Sequence, residues 1–250
     1  VTATTEDVSI TREIEGVGLL EFTETEKSRA YWLTHEGGKR RVRLPSVTGI
    51  LESTWPSSHQ LNDFFKREGL NADKIRDAAG TRGKAIHKFI ERYLADGDLL
   101  PFKEFPEEYL PYFEATAQFL WDHDLEAVAV ERLICHPEHR YAGRLDLIAR
   151  TRATCNTPTC PCHELQGLEV LWDFKTSASG RVYPKAFVQA EGYRMADERC
   201  GGAPIDAVAI VGIGENGEYR IVQGVEEAKP TWMLVLEFYR QLQKLDKALA

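Results

Sequence analysis

Asp173 and Lys175 stand two apart in Leu168–Thr176, a stretch that alternates polar and apolar residues. In an extended strand such residues project from one face. A carboxylate and an amine are thereby held side by side, while Val170, Trp172 and Phe174 make the opposite, apolar face. Tyr141–Arg150 reads as a second strand in which Leu145 and Leu147 point one way and Asp146 points the other, flanked by Ala142, Arg144 and Ile148. Hairpin-like pairing of the two strands would bring Asp146 opposite Asp173. Two carboxylates and a lysine suit metal-assisted hydrolysis of a phosphodiester. Hard oxygen ligands bind Mg²⁺, the ion polarises a phosphoryl oxygen and acidifies water, and the amine orients or deprotonates that water and offsets phosphate charge. A lone Asp-x-Lys fits a surface ion pair on an edge strand equally well, so the rest of the pattern has to decide.

Three further features bear on it. A helix expected over Thr81–Leu94 has the apolar stripe Ile86, Phe89, Ile90, Tyr93 and Leu94, and carries Gly83 one turn before His87. The glycine leaves room beside the imidazole for a metal or phosphate. Glu131 alternates with Ala129 and Leu133 in the expected strand Ala127–Cys135, so a charge faces a side that otherwise reads as buried and needs a partner or a metal there. Gln189 and Tyr193 are four apart on a helix expected from Pro184 to about Ala196 and share a face.

Taken in order, these residues resemble the RecB-like branch of the PD-(D/E)XK nuclease superfamily, which includes the CRISPR-associated single-strand exonucleases and many phage exonucleases. The resemblance covers most of residues 45 to 213. It begins with Pro45-Ser46-Val47-Thr48-Gly49-Ile50-Leu51 and continues through Gly83-x-x-x-His87, Glu131 and Gly143-Arg144-Leu145-Asp146 to Asp173-Phe174-Lys175-Thr176-Ser177 and Gln189-x-x-x-Tyr193. The proline that names the superfamily is absent before Asp146. The resemblance implies an α/β fold with a restriction-endonuclease-like core, a central mixed β-sheet flanked by helices. It implies a metal-dependent deoxyribonuclease that processes ends in replication, recombination or repair, acting on DNA that is single-stranded or has free ends. His87, Asp146, Asp173 and the backbone carbonyl of Phe174 would hold one or two Mg²⁺ or Mn²⁺ ions, the histidine favouring Mn²⁺ as the alternative. Glu131 would help hold metal or water, and Lys175 would position the attacking water. Gln189, Tyr193, Thr176, Arg82 and Lys84 would contact the DNA. A phage or bacterial source, and hence the cytoplasm, is implied on the same basis. The competing readings are a catalytically silent DNA-binding or scaffold protein on this fold and a nuclease acting on RNA.

Cys155-x₄-Cys160-x-Cys162-His163 places four soft ligands within nine residues, a set that suits tetrahedral Zn²⁺. The spacing departs from the usual Cys-x₂-Cys pairs, and a loop of free thiols or an adventitious disulfide is the alternative. In the CRISPR-associated relatives, one cysteine before the histidine helix and three after the Gln-x-x-x-Tyr helix hold an iron–sulfur cluster. Here none precedes Cys135 and only Cys200 follows Tyr193, so no such cluster is expected, and Cys135 and Cys200 read as buried thiols.

These residues need a frame. The chain has 250 residues, with 43% hydrophobic and 28% charged residues, enough for one generous domain. The net charge of -8 argues against binding through a broad basic face, although Lys39, Arg40, Arg41 and Arg43 cluster locally, as do Arg82, Lys84 and Lys88. Five cysteines, three of them between residues 155 and 162, do not form a secreted disulfide framework, and a reducing setting fits better. No apolar run approaches the length of a membrane span. The expected order is short antiparallel strands over residues 1–45, with a turn at Glu36-Gly37-Gly38, then a helical part over 46–124. In that part a helix starts at Ser46–Leu51, capped by Ser46 or Thr48, and others cover Gln60–Arg67 and Ala72–Ala79. Gly80 breaks the pattern before the helix from Thr81, and a further helix runs from Pro106 to about Trp121. An α/β core over 125–226 follows, with the Cys-rich insertion at 151–166 and two final strands, Ala207–Ile213 and Tyr219–Val225, joined at Glu215-Asn216-Gly217. A C-terminal amphipathic helix, Thr231–Ala248, closes a single α/β domain.

Overall fold

The computed structural model describes residues 8–25, 28–56, 66–97 and 105–249. The N-terminal strands β1 (Val8–Ile14), β2 (Gly18–Glu24), β3 (Arg29–His35) and β4 (Arg41–Leu44) form an antiparallel sheet in sequence order. Alternation decides which face is covered. Leu20, Phe22, Leu33 and Leu44 are buried and meet Leu133, Cys135, Ala142 and Cys200 of the second sheet and its helix. Arg12 fastens the two parts, donating to the carbonyl of Leu133 at 2.6 Å.

Helix α1 (Val47–Thr54) starts where Ser46, not Thr48, caps it: Ser46 Oγ accepts from the amide of Gly49 at 2.9 Å. The same corner is pinned to the second sheet by the Ala142 amide, which donates to the Pro45 carbonyl at 2.9 Å. Part of the helix expected over Gln60–Arg67 lies outside the described residues. The expected break at Gly80 is overturned. One helix, α2, runs unbroken over Ala72–Asp96. A helical glycine costs about 1 kcal/mol relative to alanine, too little to end a helix whose apolar stripe is buried. Thr81 bonds back to the Asp77 carbonyl at 3.0 Å instead of capping a new helix. A single 3-10 turn after Pro106 leads into α3 (Leu110–His123).

The second sheet has the order β5 (Leu125–His136), β6 (Tyr141–Thr151), β7 (Glu169–Thr176), β8 (Ala207–Ile213) and β9 (Tyr219–Gln223). Only the β7–β8 pair is parallel. Its crossover is α5 (Pro184–Arg199), as a parallel connection requires. The Cys-rich insertion between β6 and β7 holds the one-turn helix α4 (Cys162–Leu165), and α6 (Ala228–Leu249) ends the described chain. This is the expected α/β arrangement of a mixed sheet with flanking helices and an N-terminal β extension. Among the described residues no helix is long and apolar enough to cross a membrane.

The sheet is covered on both faces. On one side Ile50 and Leu51 of α1, Val188 and Ala190 of α5, and Trp232 and Leu236 of α6 pack on Ile148, Leu171 and Ile210. On the other, Ile86, Phe89 and Ile90 of α2 and Phe113 and Phe119 of α3 pack on Val170, Trp172, Phe174 and Val211. Trp232 closes the first layer, its indole Nε1 donating to Tyr141 Oη at 3.3 Å, while that hydroxyl donates to the Gly192 carbonyl at 3.0 Å.

Strand β7 keeps the expected parity, but β6 does not. Leu145 and Ile148 both belong to the layer under α1, α5 and α6, whereas Leu147 belongs to the opposite layer. The alternation therefore flips beside Asp146. The cause lies across the strand pair. Glu131 has φ of 46°, a left-handed conformation costly for a residue with a Cβ, and the β5–β6 ladder skips the pairing of Glu131 with Asp146. The ladder is interrupted where the two carboxylates face each other, and a separate register shift lies between Ala127 and Ala129 of the same strand.

Candidate active site

Three elements bring the first group together. His87 comes from α2, Glu131 from the kinked residue of β5 and Asp146 from the flip of β6, and one ligand atom of each lies within 4.8 Å of the others. His87 Nδ1 is 3.2 Å from Glu131 Oε1 and 3.4 Å from Asp146 Oδ1. Arg144 Nε, 2.7 Å from Glu131 Oε2, takes the other side of that carboxylate, and its guanidinium lies over the Phe22 ring. Asp146 is fixed by its second oxygen, which accepts from the Phe174 amide at 2.9 Å. That contact ties β6 to β7 just beyond the last regular pair, Leu147 with Trp172.

The second group is Asp173 and Lys175. They share a face of β7 as expected, with Lys175 Nζ 2.6 Å from Asp173 Oδ2. Asp173 is fully buried, and despite that short ion-pair distance neither of its oxygens has a hydrogen bond of good geometry. A buried carboxylate with one ion-pair partner and no well-formed hydrogen bond is costly. Burial pushes its carboxyl up to about 6, with Asp146 adding to the rise while Lys175 and His87 pull it down. Burial disfavours the charged form of His87, but Asp146 and Glu131 outweigh it and raise the imidazole to about 9. Burial likewise opposes the charge of Lys175, yet Asp173 and Asp146 hold its ammonium above the ordinary value. The site is thus a dense negative field in which positive groups are strongly favoured, the electrostatic setting that a divalent cation fits.

Of the residues expected to ligate metal, His87 and Asp146 come together, with Glu131 as the third member in place of Asp173. Asp173 stands beside that group and is turned to Lys175. Phe174 contributes its amide to Asp146. The residues expected to meet DNA divide. Gln189 Nε2 donates to Tyr193 Oη at 2.7 Å, so the shared helix face is real, and that hydroxyl is 3.4 Å from Thr48 Oγ1. Thr176 sits against Gly83, where an added Cβ would meet its hydroxyl at an ordinary 3.7 Å. Lys84 is paired with Glu24 at 2.9 Å, and Arg82 lies over the Tyr112 ring at 4.3 Å. Both are engaged by neighbouring elements, β2 and α3. Arg144 and Thr48 lie inside the motifs that carry the resemblance without an expected site role of their own, and the structure sets them against Glu131 and Tyr193.

Gly143 has a specific reason to be glycine. A Cβ there would lie 2.7 Å from Tyr193 Cε1, closer than two carbons can approach. Gly143→Ala is therefore expected to push the Tyr193 ring out of its contact with Gln189 and Thr48. Any activity of the site should fall at least about tenfold, from misplacement alone, while thermal unfolding shifts by only a few degrees. Paired activity and melting measurements check this, and Tyr193→Phe, which keeps the ring in place, should lose less.

The Cys-rich insertion supplies a second candidate metal centre, with a correction to its ligands. Cys155, Cys160 and Cys162 converge, and Cys155 Sγ is 3.6 Å from Cys162 Sγ. The fourth member is His123, from the last turn of α3. The expected His163 is exposed, and its Nε2 is engaged with the Thr157 carbonyl at 3.0 Å. His163 directly follows Cys162 at the start of a helical turn, so its side chain leaves in another direction from the thiol. His123 Nδ1 is 2.7 Å from the Phe119 carbonyl. A carbonyl only accepts, so Nδ1 carries the proton and Nε2 presents its lone pair. That Nε2 is buried without a hydrogen-bond partner. Burial, and after it the neighbouring sulfurs, push the Cys162 thiol up to about 12, a crowding that a divalent ion would reverse. Three sulfurs and an imidazole oriented through its other nitrogen form a group that could hold a metal such as zinc.

No family model matches the chain, and a search among curated proteins returns no match.

Proposed function

We propose that this protein is a divalent-metal-dependent deoxyribonuclease that degrades DNA from its ends. The observation that carries the reading is the convergence of His87, Glu131 and Asp146 beside a buried Asp173–Lys175 pair. Hard oxygen donors and one imidazole fit Mg²⁺ or Mn²⁺. Such an ion, when bound, polarises the scissile phosphate and lowers the pKa of water. Lys175 positions the attacking water and takes up charge at the phosphate, with its ammonium held in place by Asp173. Asp146, braced by the Phe174 amide, is the carboxylate best placed to bind metal. Glu131 shares that work and is itself oriented by Arg144. Gln189 and Tyr193 steady the phosphate backbone beside the lysine. The resemblance of this residue set to RecB-like nucleases supports action at ends, and among the described residues no element is recognisable as a reader of base edges.

The Cys-rich insertion completes the reading: Cys155, Cys160, Cys162 and His123 would hold a structural zinc. Four protein donors would leave no position open for substrate, as in structural rather than catalytic zinc sites.

The test is incubation of end-labelled linear and circular DNA, single- and double-stranded, with Mg²⁺, Mn²⁺ or EDTA. Metal-dependent loss of linear DNA, spared circles and no loss with Asp146→Asn are the expected results. A wild-type protein that binds DNA but leaves every substrate intact would instead favour a silent scaffold, and preference for RNA would move the activity to that polymer.

A further inference from the structure

An open groove of about 1340 Å³ lies between the N-terminal sheet, α1, the β5–β6 turn and α6. Its volume exceeds the ~300–1,000 Å³ of small-molecule sites, so a polymer suits it better than a compact ligand. One wall is a single stripe of α6: Leu236 at its base, then Tyr239, Arg240, Gln243 and Lys247, spaced three or four apart. From Leu236 to Lys247 this stripe runs about 16 Å at 1.5 Å per residue. Opposite it stand Arg29, Tyr31 and Arg43 of β3 and β4, and Arg140 projects from the turn between β5 and β6.

Charge here runs against the rest of the molecule. Five arginines and lysines line the groove against two glutamates, Glu52 and Glu138, in a chain of net charge -8. Among the described residues Arg43, Arg140 and Lys247 have no carboxylate partner within ion-pair distance. Two tyrosines stand among these cations, Tyr31 on one wall and Tyr239 on the other. The groove borders the candidate site through one wall, although none of the site's carboxylates lines it. Thr48 lines it and is 3.4 Å from Tyr193 Oη. Tyr31 lines it and lies in the electrostatic field of Tyr193, Arg144 and Glu131, where burial, more than any of them, raises its phenol.

We infer that this groove is the track for single-stranded DNA, holding several nucleotides and delivering the strand past Tyr31, Thr48 and Tyr193 to the carboxylates. The inference rests on the nuclease reading and locates the surface along which its substrate is held. Unpaired phosphates track along Arg43, Arg140 and Lys247, and bases stack on Tyr31 and Tyr239, the combination of cations and aromatic platforms that binds single strands without regard to sequence. A duplex keeps its base faces in the stack and cannot use the tyrosines, so it gains only the charge term.

The test is fluorescence anisotropy with a labelled dT₂₀ strand and a labelled hairpin duplex in buffer without Mg²⁺, Mn²⁺ or chelator, so that any zinc stays in place, over a range of salt. Wild type, Arg43→Glu/Lys247→Glu and Lys244→Glu are compared, the last a charge reversal on α6 outside the groove lining. The double variant is expected to bind dT₂₀ at least tenfold more weakly and to lower the log–log salt slope by about 1.4, at ~0.7 per lost phosphate contact on a single strand. Lys244→Glu should change binding less than twofold, and Tyr239→Ala should weaken dT₂₀ binding without changing the salt slope. Equal losses from Lys244→Glu, or duplex binding tighter than dT₂₀ and indifferent to the groove variants, would overturn the track. The two readings fail separately. If wild type cleaves DNA with Mn²⁺ while the groove variants bind and cleave like it, the groove is wrong and the nuclease stands. If wild type neither binds nor cleaves any DNA, both fall.

Discussion

Lys175→Ala is expected to cut metal-dependent cleavage of linear DNA by about 10³-fold, inside the ~10²–10⁴ range for a positioned proton-transfer group, while the protein still folds. The fold is the delicate part of this expectation. Removing one partner of a buried ion pair usually costs ~3–5 kcal/mol, because the remaining charge is stranded. Asp173 has an escape. Burial already lifts its carboxyl to about 6 against the pull of Lys175, so without the lysine the carboxyl rises further and takes a proton instead of staying charged. The consequence has a definite sign. A carboxyl whose folded pKa lies above its ordinary 3.8 contributes stability that is fully present below that ordinary value and is lost as pH rises through the folded one. In wild type that loss ends near pH 6. In Lys175→Ala it continues upward, at up to about 1.4 kcal/mol per pH unit. The variant should therefore melt progressively lower than wild type between pH 6 and pH 8, and draw level with it near pH 5. Melting curves at the three pH values, run beside the cleavage assay, separate chemistry from collapse. Retained cleavage would remove Lys175 from the mechanism. A melting difference that widens toward acid would contradict the burial of Asp173 as a suppressed charge.

The second large effect concerns the Cys-rich insertion. Protein prepared without chelator is expected to carry one zinc per chain by elemental analysis. Stripping it should lower the melting temperature by roughly 8–16 °C, taking ~4 kcal/mol for a ligand held at 1,000 times its dissociation constant and ~2–4 °C per kcal/mol for a domain of this size. The loss should be this large because the site joins parts distant in sequence. His123 ends α3, and the thiols lie between β6 and β7, against the layer that contains Phe119, Trp172 and Phe174. Cys162→Ser and His123→Ala are expected to empty the site, and His163→Ala to leave both zinc content and melting unchanged. Loss of zinc from His163→Ala with retention in His123→Ala would restore the ligand set read from spacing. Protein that never carries zinc would leave a loop of thiols. Because Phe174 touches both this layer and, through its amide, Asp146, zinc removal should also lower cleavage.

How much of this was legible in the residues follows from the range of the forces involved. The alternation of β7 is local, so the separation of Asp173 and Lys175 from Val170, Trp172 and Phe174 could be read directly and holds in the structure. The Ser46 cap, the strands on either side of the insertion and the Gln189–Tyr193 face are local in the same sense. The helix across Gly80 is a small local preference overruled by burial elsewhere along α2.

What the chain by itself determined, then, is the kind of groups present and the side of each element they occupy, because period and capping depend on neighbours within a turn or two. Tertiary structure alone decided which groups meet. Glu131 meets Asp146 where its backbone takes a left-handed conformation and the β5–β6 ladder skips the pair, and the parity of β6 flips there against what alternation alone would assign. His123 replaces His163 because packing of α3 against the sheet carries an imidazole to the thiols. The basic groove exists only where β3, β4, α1 and α6 converge. Contacts between residues far apart in the chain are selected by the closing of the whole core, and no local periodicity encodes them.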